Sequence, residues 1–261
     1  MTRAGQPVAF WRWPVVVLRM AAMLIALAVC VPLYYLLKPF VRHNPASRAF
    51  LALVGAFSGL RITVVGQRPR GSAFLLANHV SWLDIPALAH VAGSAFIAHD
   101  GLADIGALRR LCEMNRTVFI ARHDRTSVAA QIEQIGAAID DGGALTLFPE
   151  GTTSDGTGLL AFKSSLLSAL TPVPPGVAIY PIWLDYGPET ADIAWIEEEP
   201  GTANFLRILA RLTPLQLTVH ILPELAGAQL ENRKTMAASA QDAIMQAMQN
   251  RDPAKNQRVA L

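Results

Sequence analysis

The stretch Ala73-Phe74-Leu75-Leu76-Ala77-Asn78-His79-Val80-Ser81-Trp82-Leu83-Asp84-Ile85-Pro86 decides the fold. An apolar run over 73–77 reads as a strand, and it gives way abruptly to Asn78 and His79. Asp84, with Pro86 two residues on, reads as the cap of a helix over 84–91, because a short carboxylate and an early proline suit a helix N-terminus. Strand, polar turn and helix in fourteen residues is the unit of an α/β sheet.

Working outward, the same alternation continues. Strands are predicted over 61–65, 73–77, 95–98, 117–121, 144–148, 177–183 and 215–222. Helices are predicted over 84–91, 105–114, 127–141, 162–170 and 229–249. The expected fold is a single α/β domain with a largely parallel central sheet flanked by helices, preceded by an N-terminal membrane-anchoring helix. The divisions read as anchor and flank 1–45, apolar helix 46–60, main domain 61–250 and polar tail 251–261. Asn78 and His79, Arg122, and Pro149-Glu150-Gly151 each follow a strand, and open α/β sheets place ligands beyond those carboxyl ends.

Composition explains the leader. Of 261 residues, 16% are charged and 52% hydrophobic, whereas soluble domains carry about 25% charged residues. Eighteen consecutive residues from Met20 to Leu37 carry no charge, about 27 Å of helix against a hydrocarbon core of about 30 Å. Val15 extends the run, Arg19 is placed to snorkel, and Trp11, Trp13, Tyr34 and Tyr35 sit at the ends as interfacial aromatics do. The rival reading is a cleaved signal around Ala26-Leu27-Ala28. Lys38, Arg42 and Arg48 after the segment outnumber Arg3 and Arg12 before it, which favours a cytoplasmic remainder. The stretch 49–60 is too short to span and reads as either a core helix or an interfacial one. A net charge of +2 implies no nucleic-acid partner, and Cys30 and Cys112 make neither a disulfide framework nor a zinc site.

His79 and Asp84, five residues apart, would lie about 140° apart on one continuous helix. They meet only if His79 is in the turn and Asp84 opens the helix. An Asp bonded to one imidazole nitrogen orients the ring and leaves the other nitrogen as a general base; the plainer alternative is a loop histidine beside an ordinary cap. Phe148-Pro149-Glu150-Gly151-Thr152-Thr153-Ser154-Asp155-Gly156 is a second polar turn, with N–H groups and hydroxyls suited to an oxygen-rich ligand.

His79-x4-Asp84 and Phe148-Pro149-Glu150-Gly151-Thr152 resemble the first and third signature blocks of the lysophosphatidic acid acyltransferase-like glycerolipid acyltransferases. Val118-Phe119-Ile120-Ala121-Arg122 resembles their second block and Tyr180-Pro181-Ile182 their fourth, in order, across about 61–222. The resemblance implies a membrane-bound O-acyltransferase that moves a fatty acyl group from acyl carrier protein or coenzyme A to a lysolipid hydroxyl. His79 would be the base and Asp84 its orienter. Glu150, Gly151, Thr152, Thr153 and Arg122 would bind the acceptor, with Lys163 as a further anion contact. No cofactor or metal is implied, the thioester being a co-substrate. The expected place is the cytoplasmic face of an inner membrane. A lipid or thioester hydrolase and a non-catalytic lipid-binding protein are the alternatives from other classes. His99-Asp100 and His123-Asp124 mimic a metal-binding pair without a coherent ligand set. Ser58 and Ser81 lack a nucleophile elbow, and Cys112 reads as core.

The third block also bears on the acceptor. Enzymes that act on lysophosphatidate commonly carry an arginine after Glu-Gly-Thr, suited to a bidentate grip on phosphate. Here that position is Thr153, and the run through Asp155 and Lys163-Ser164-Ser165 looks more like the branch that acylates lyso-ornithine lipid, which has no phosphate. The alternative is 1-acyl-sn-glycerol-3-phosphate acylation to phosphatidic acid.

Overall fold

The computed structural model describes residues 8–41, 44–99, 106–120, 135, 139, 143–196 and 199–251. Seven strands form one sheet in the order β1-β7-β6-β2-β5-β3-β4. They are β1 (Leu60–Val65), β2 (Ala73–Ala77), β3 (Ala95–His99), β4 (Val118–Ile120), β5 (Ala144–Leu147), β6 (Ala178–Asp185) and β7 (Leu215–Ile221). Every neighbouring pair is parallel except β6 and β7. All seven predicted strands are present within three residues at either end.

The helices are α1 (Trp13–Leu37), α2 (Pro45–Phe57), α3 (Asp84–Ala92), α4 (Gly106–Met114), a short α5 (Thr190–Ile193), α6 (Gly201–Leu209) and α7 (Arg233–Gln249). Three expectations need correction. Residues 162–170 hold a 3-10 helix over Ser164–Leu170 rather than an α-helix, and Pro172, two residues past its end, blocks its continuation as a regular helix. The last helix starts at Arg233, where Asn232 accepts from Lys234 N and Thr235 N while Thr235 Oγ1 accepts from Asn232 N, a reciprocal cap that fixes the start. Helix α6 falls in a stretch predicted as connection. The helix expected over 127–141 lies almost wholly outside the described residues, as does the tail from 252.

The two faces of the sheet bury separate clusters. Leu75, Leu83, Leu88, Phe96 and Phe148 pack on the α2–α3 face, while Phe74, Leu76, Ile179 and Trp183 pack with Ile244 of α7 on the other. Strand β2 is buried along its whole length, as a central parallel strand covered on both faces must be. Its neighbours β5 and β6 run parallel to it, so the turns after β2, β5 and β6 emerge side by side at one sheet edge.

Helix α1 is long and apolar enough to cross a membrane. Val16, Ala26 and Cys30 are its buried residues, and Val16 packs on Leu209 and Ala210. Leu18, Ile25, Val29 and Leu36 fall on one outward stripe and are each at least 60% exposed. Arg19 donates to the Leu209 carbonyl at 3.0 Å, so its head is tied to the end of α6 rather than snorkelling freely. Helix α2 packs between α1 and α3, with Leu51 on the core and Leu53 exposed. Its start is set by Asn44, which caps Ala46 N and donates to the Tyr34 carbonyl.

Candidate active site

His79 is the second residue past β2, and its backbone is held on both sides. Its N–H donates to Glu150 Oε1 at 2.8 Å, and its carbonyl accepts from Ser154 N at 2.8 Å. Asn78 just before it acts as a strand residue made of side chain: its amide donates to the Leu184 carbonyl and accepts from Leu184 N. The turns after β2, β5 and β6 are thus bolted together around the histidine.

Asp84 is fully buried and takes four donors. Oδ2 accepts from His79 Nδ1 at 2.7 Å, Val80 N at 2.7 Å and Ser81 N at 3.0 Å. Oδ1 accepts from the Tyr186 hydroxyl at 2.5 Å. This corrects its expected role as a cap: the carboxylate turns back over the preceding turn instead of forward onto α3, because the three donors of residues 79–81 converge there. An ionised carboxylate only accepts, so a neutral imidazole bound to it donates from Nδ1 and presents Nε2 as the acceptor. The imidazole stacks on Phe148 with ring centres 4.0 Å apart and stays 19% exposed. It is oriented from below, walled on one face and open to a reactant.

Residues 61–185 match a family model described as Acyltransferase. The lyso-ornithine lipid O-acyltransferase of Rhodobacter capsulatus is 31% identical over 221 residues, which cover 80% of this chain and 79% of that protein. This chain belongs to the acyltransferase family. The lyso-ornithine lipid O-acyltransferase of Rhizobium meliloti is 39% identical over 134 residues, about half of either protein (49% and 46%). In fold, the acyltransferase superimposes on the crystal structure of the 1-acyl-sn-glycerophosphate acyltransferase PlsC from Thermotoga maritima. The TM-score is 0.61 at 20% identity, over 92% of this chain and 99% of that one.

The third block of the acyltransferase faces largely inward. Glu150 is fully buried, with Oε2 accepting from Leu160 N at 3.0 Å while Oε1 holds His79. Burial pushes its carboxyl above the ordinary carboxylate range, and the two N–H donors pull it partly back. The Thr153 hydroxyl donates to the Trp195 carbonyl, and Trp195 N donates to the Val80 carbonyl at 2.9 Å, so residue 195 ties the histidine turn to the glutamate turn. Thr152 is half-buried, and its hydroxyl makes no hydrogen bond among the described residues. Gly151 has φ +73°, and a Cβ there would sit 3.1 Å from Lys163 Nζ. The ammonium therefore lies directly over the loop, which brings Lys163 into the site's surroundings. Asp155 Oδ1 accepts from Thr157 N and Oγ1, closing a turn.

Arg122 lies outside the described residues, as do residues 100, 123 and 124, and β4 before it sits at the sheet edge, three strand positions from β2. Cys112 is half-buried rather than core, and burial raises its thiol, which disfavours a nucleophilic thiolate. Among the described residues no group of three or more His, Cys, Asp or Glu converges as metal ligands. Sequence reasoning missed Tyr186. The expected strand stops at 183 whereas β6 continues to Asp185, and only its pairing with β2 brings the next residue to Asp84, which no local sequence pattern marks.

Proposed function

We propose that this acyltransferase moves a fatty acyl group from an acyl carrier protein or coenzyme A thioester to a lysolipid hydroxyl, with lyso-ornithine lipid as the acceptor. The observation that carries the chemistry is the 2.7 Å contact between His79 Nδ1 and Asp84 Oδ2, which leaves Nε2 free to take a proton. The acceptor hydroxyl gives its proton to Nε2 as its oxygen bonds to the thioester carbonyl carbon. The tetrahedral intermediate then expels the thiolate as the C–S bond breaks, and the imidazolium returns the proton to sulfur. Asp84 holds the ring and stabilises its charged form. Water in place of the lipid hydroxyl would give hydrolysis, so specificity depends on what fills the open side of His79.

The acceptor assignment is supported by the uncharged Thr153 after Glu150-Gly151-Thr152, and by relatives that bear the lyso-ornithine name. Glu150, Gly151 and Thr152 shape the acceptor side, with Glu150 acting through the turn it holds. Lys163 over Gly151 favours the second reading, in which an ammonium meets the phosphate of lysophosphatidate. Helix α1, with its apolar outward stripe, anchors the enzyme to the inner membrane with the site on the cytosolic side. Purified protein offered labelled acyl-thioester with each lysolipid at matched concentration separates the cases. The expected result is diacyl product mainly from lyso-ornithine lipid. A strong preference for lysophosphatidate overturns the acceptor, and free fatty acid as sole product overturns the transferase.

A further inference from the structure

We propose that Tyr186 is a positioning residue that sets the basicity of His79 through Asp84. The inference rests on the general-base reading above and adds a third member to its relay. Tyr186 is 1% exposed and Asp84 0%, and the phenol sits 2.5 Å from Oδ1. The other three donors crowd onto Oδ2. Oδ1 therefore has one partner among the described residues, and that partner is a side chain 102 positions away in sequence.

The placement is built, not incidental. Strand β6 pairs with β2 through Ala77 and Ile182, and Asn78 prolongs that pairing by clamping Leu184. Asp185 then turns the chain by accepting from Gly187 N, which fixes Tyr186 over α3. The phenol stays protonated, because burial and the neighbouring carboxylate both raise its pKa. It can only donate to Asp84.

A donor on Oδ1 withdraws negative charge from the carboxylate as His79 feels it. Less charge facing Nδ1 means less stabilisation of the imidazolium, so removing the hydroxyl should strengthen the hold of Asp84 on the charged ring. Of the titratable groups nearby, Asp84 from α3 contacts the ring, Tyr186 from beyond β6 reaches it through Asp84, Glu150 from beyond β5 holds the His79 backbone N–H, and Lys163 lies against Gly151. Of these, Tyr186→Phe alters only the charge on Asp84 and keeps the ring that fills the core.

The test is the pH dependence of kcat/KM for the full-length enzyme in micelles, wild type against Tyr186→Phe. The acid limb is expected to move upward by roughly one pH unit in the variant, with KM for both substrates within about twofold. A merely structural tyrosine would lower kcat or stability and leave the limb where it was, and that result overturns the proposal. A wild-type profile with no acid limb overturns both this proposal and the general-base reading. Should the variant fold poorly, the same sign is read from the 15N titration of the His79 imidazole, identified by its loss in His79→Gln. An unchanged midpoint there is equally fatal.

Discussion

Replacing Glu150 with Gln separates a structural strut from a substrate ligand. The carboxylate accepts from two backbone N–H groups, His79 N at 2.8 Å and Leu160 N at 3.0 Å, in a fully buried position. Glutamine keeps one acceptor and turns an NH2 group towards the other donor. One charge-assisted bond is lost outright and the survivor is weakened, at about 1.5–3 kcal/mol for a bond to a charged group. Against this, the neutral amide escapes the desolvation that raises the carboxyl's pKa. The net destabilisation is therefore about 2 kcal/mol, equivalent to roughly 4–8 °C in a chain of this size. Because the released donor is either His79 itself or the loop end beside it, kcat should fall by about 10²-fold with little change in KM. Thermal unfolding followed by tryptophan fluorescence, run beside steady-state kinetics, reads both. Unchanged melting together with a several-fold higher acceptor KM would refute the strut and make Glu150 a direct acceptor ligand.

Other consequences follow from the packing around the site. Arg207 makes two contacts with Glu199, at 2.9 and 2.7 Å, both side chains being buried; Arg207→Met should cost about 3–5 kcal/mol by stranding the carboxylate, and denaturant unfolding should show Glu199→Gln/Arg207→Met recovering part of the loss. Burial holds the His220 imidazole below its ordinary value of 6.5, with Arg251 adding to the effect and Asp185 opposing it. The unfolded chain thus binds the proton first, and His220 contributes stability above about pH 6.5 that is lost as pH falls through the lower folded value. His220→Gln should shrink the gap in melting temperature between about pH 7.5 and about pH 5.5; an undiminished gap contradicts the assignment. Ile25→Lys with Val29→Lys on the outward stripe of α1 adds roughly 5–7 kcal/mol to membrane insertion. It should move the protein from membrane pellet to supernatant, and continued sedimentation with membranes would shift the anchor elsewhere.

Much of this architecture could be read in advance because the strands are short, apolar and sharply punctuated. The turn at Asn78 and the halt at Pro149 mark strand ends that survive folding to within a residue. His79 and Asp84 were legible because only one local geometry lets residues five apart meet. What escaped depends on pairing between distant strands. Tyr186 reaches Asp84 only because β6 lies beside β2, an adjacency that no local pattern records. The inward turn of Glu150 and Thr153 is likewise set by backbone donors of residues 79 and 160 and the carbonyl of 195. Helix α6 was missed because Gly201 and Thr202 open it without a side-chain cap, leaving periodicity alone to announce nine residues.

The central claim is that His79 takes the proton from the attacking hydroxyl. Turnover of labelled acyl-thioester with lyso-ornithine lipid, wild type against His79→Ala, addresses it most directly when each sample's melting temperature is recorded alongside. The account predicts diacyl product from the wild type and a loss of about 10²–10⁴-fold in the variant, with melting essentially unchanged. Near-wild-type turnover in a folded His79→Ala sample would contradict it.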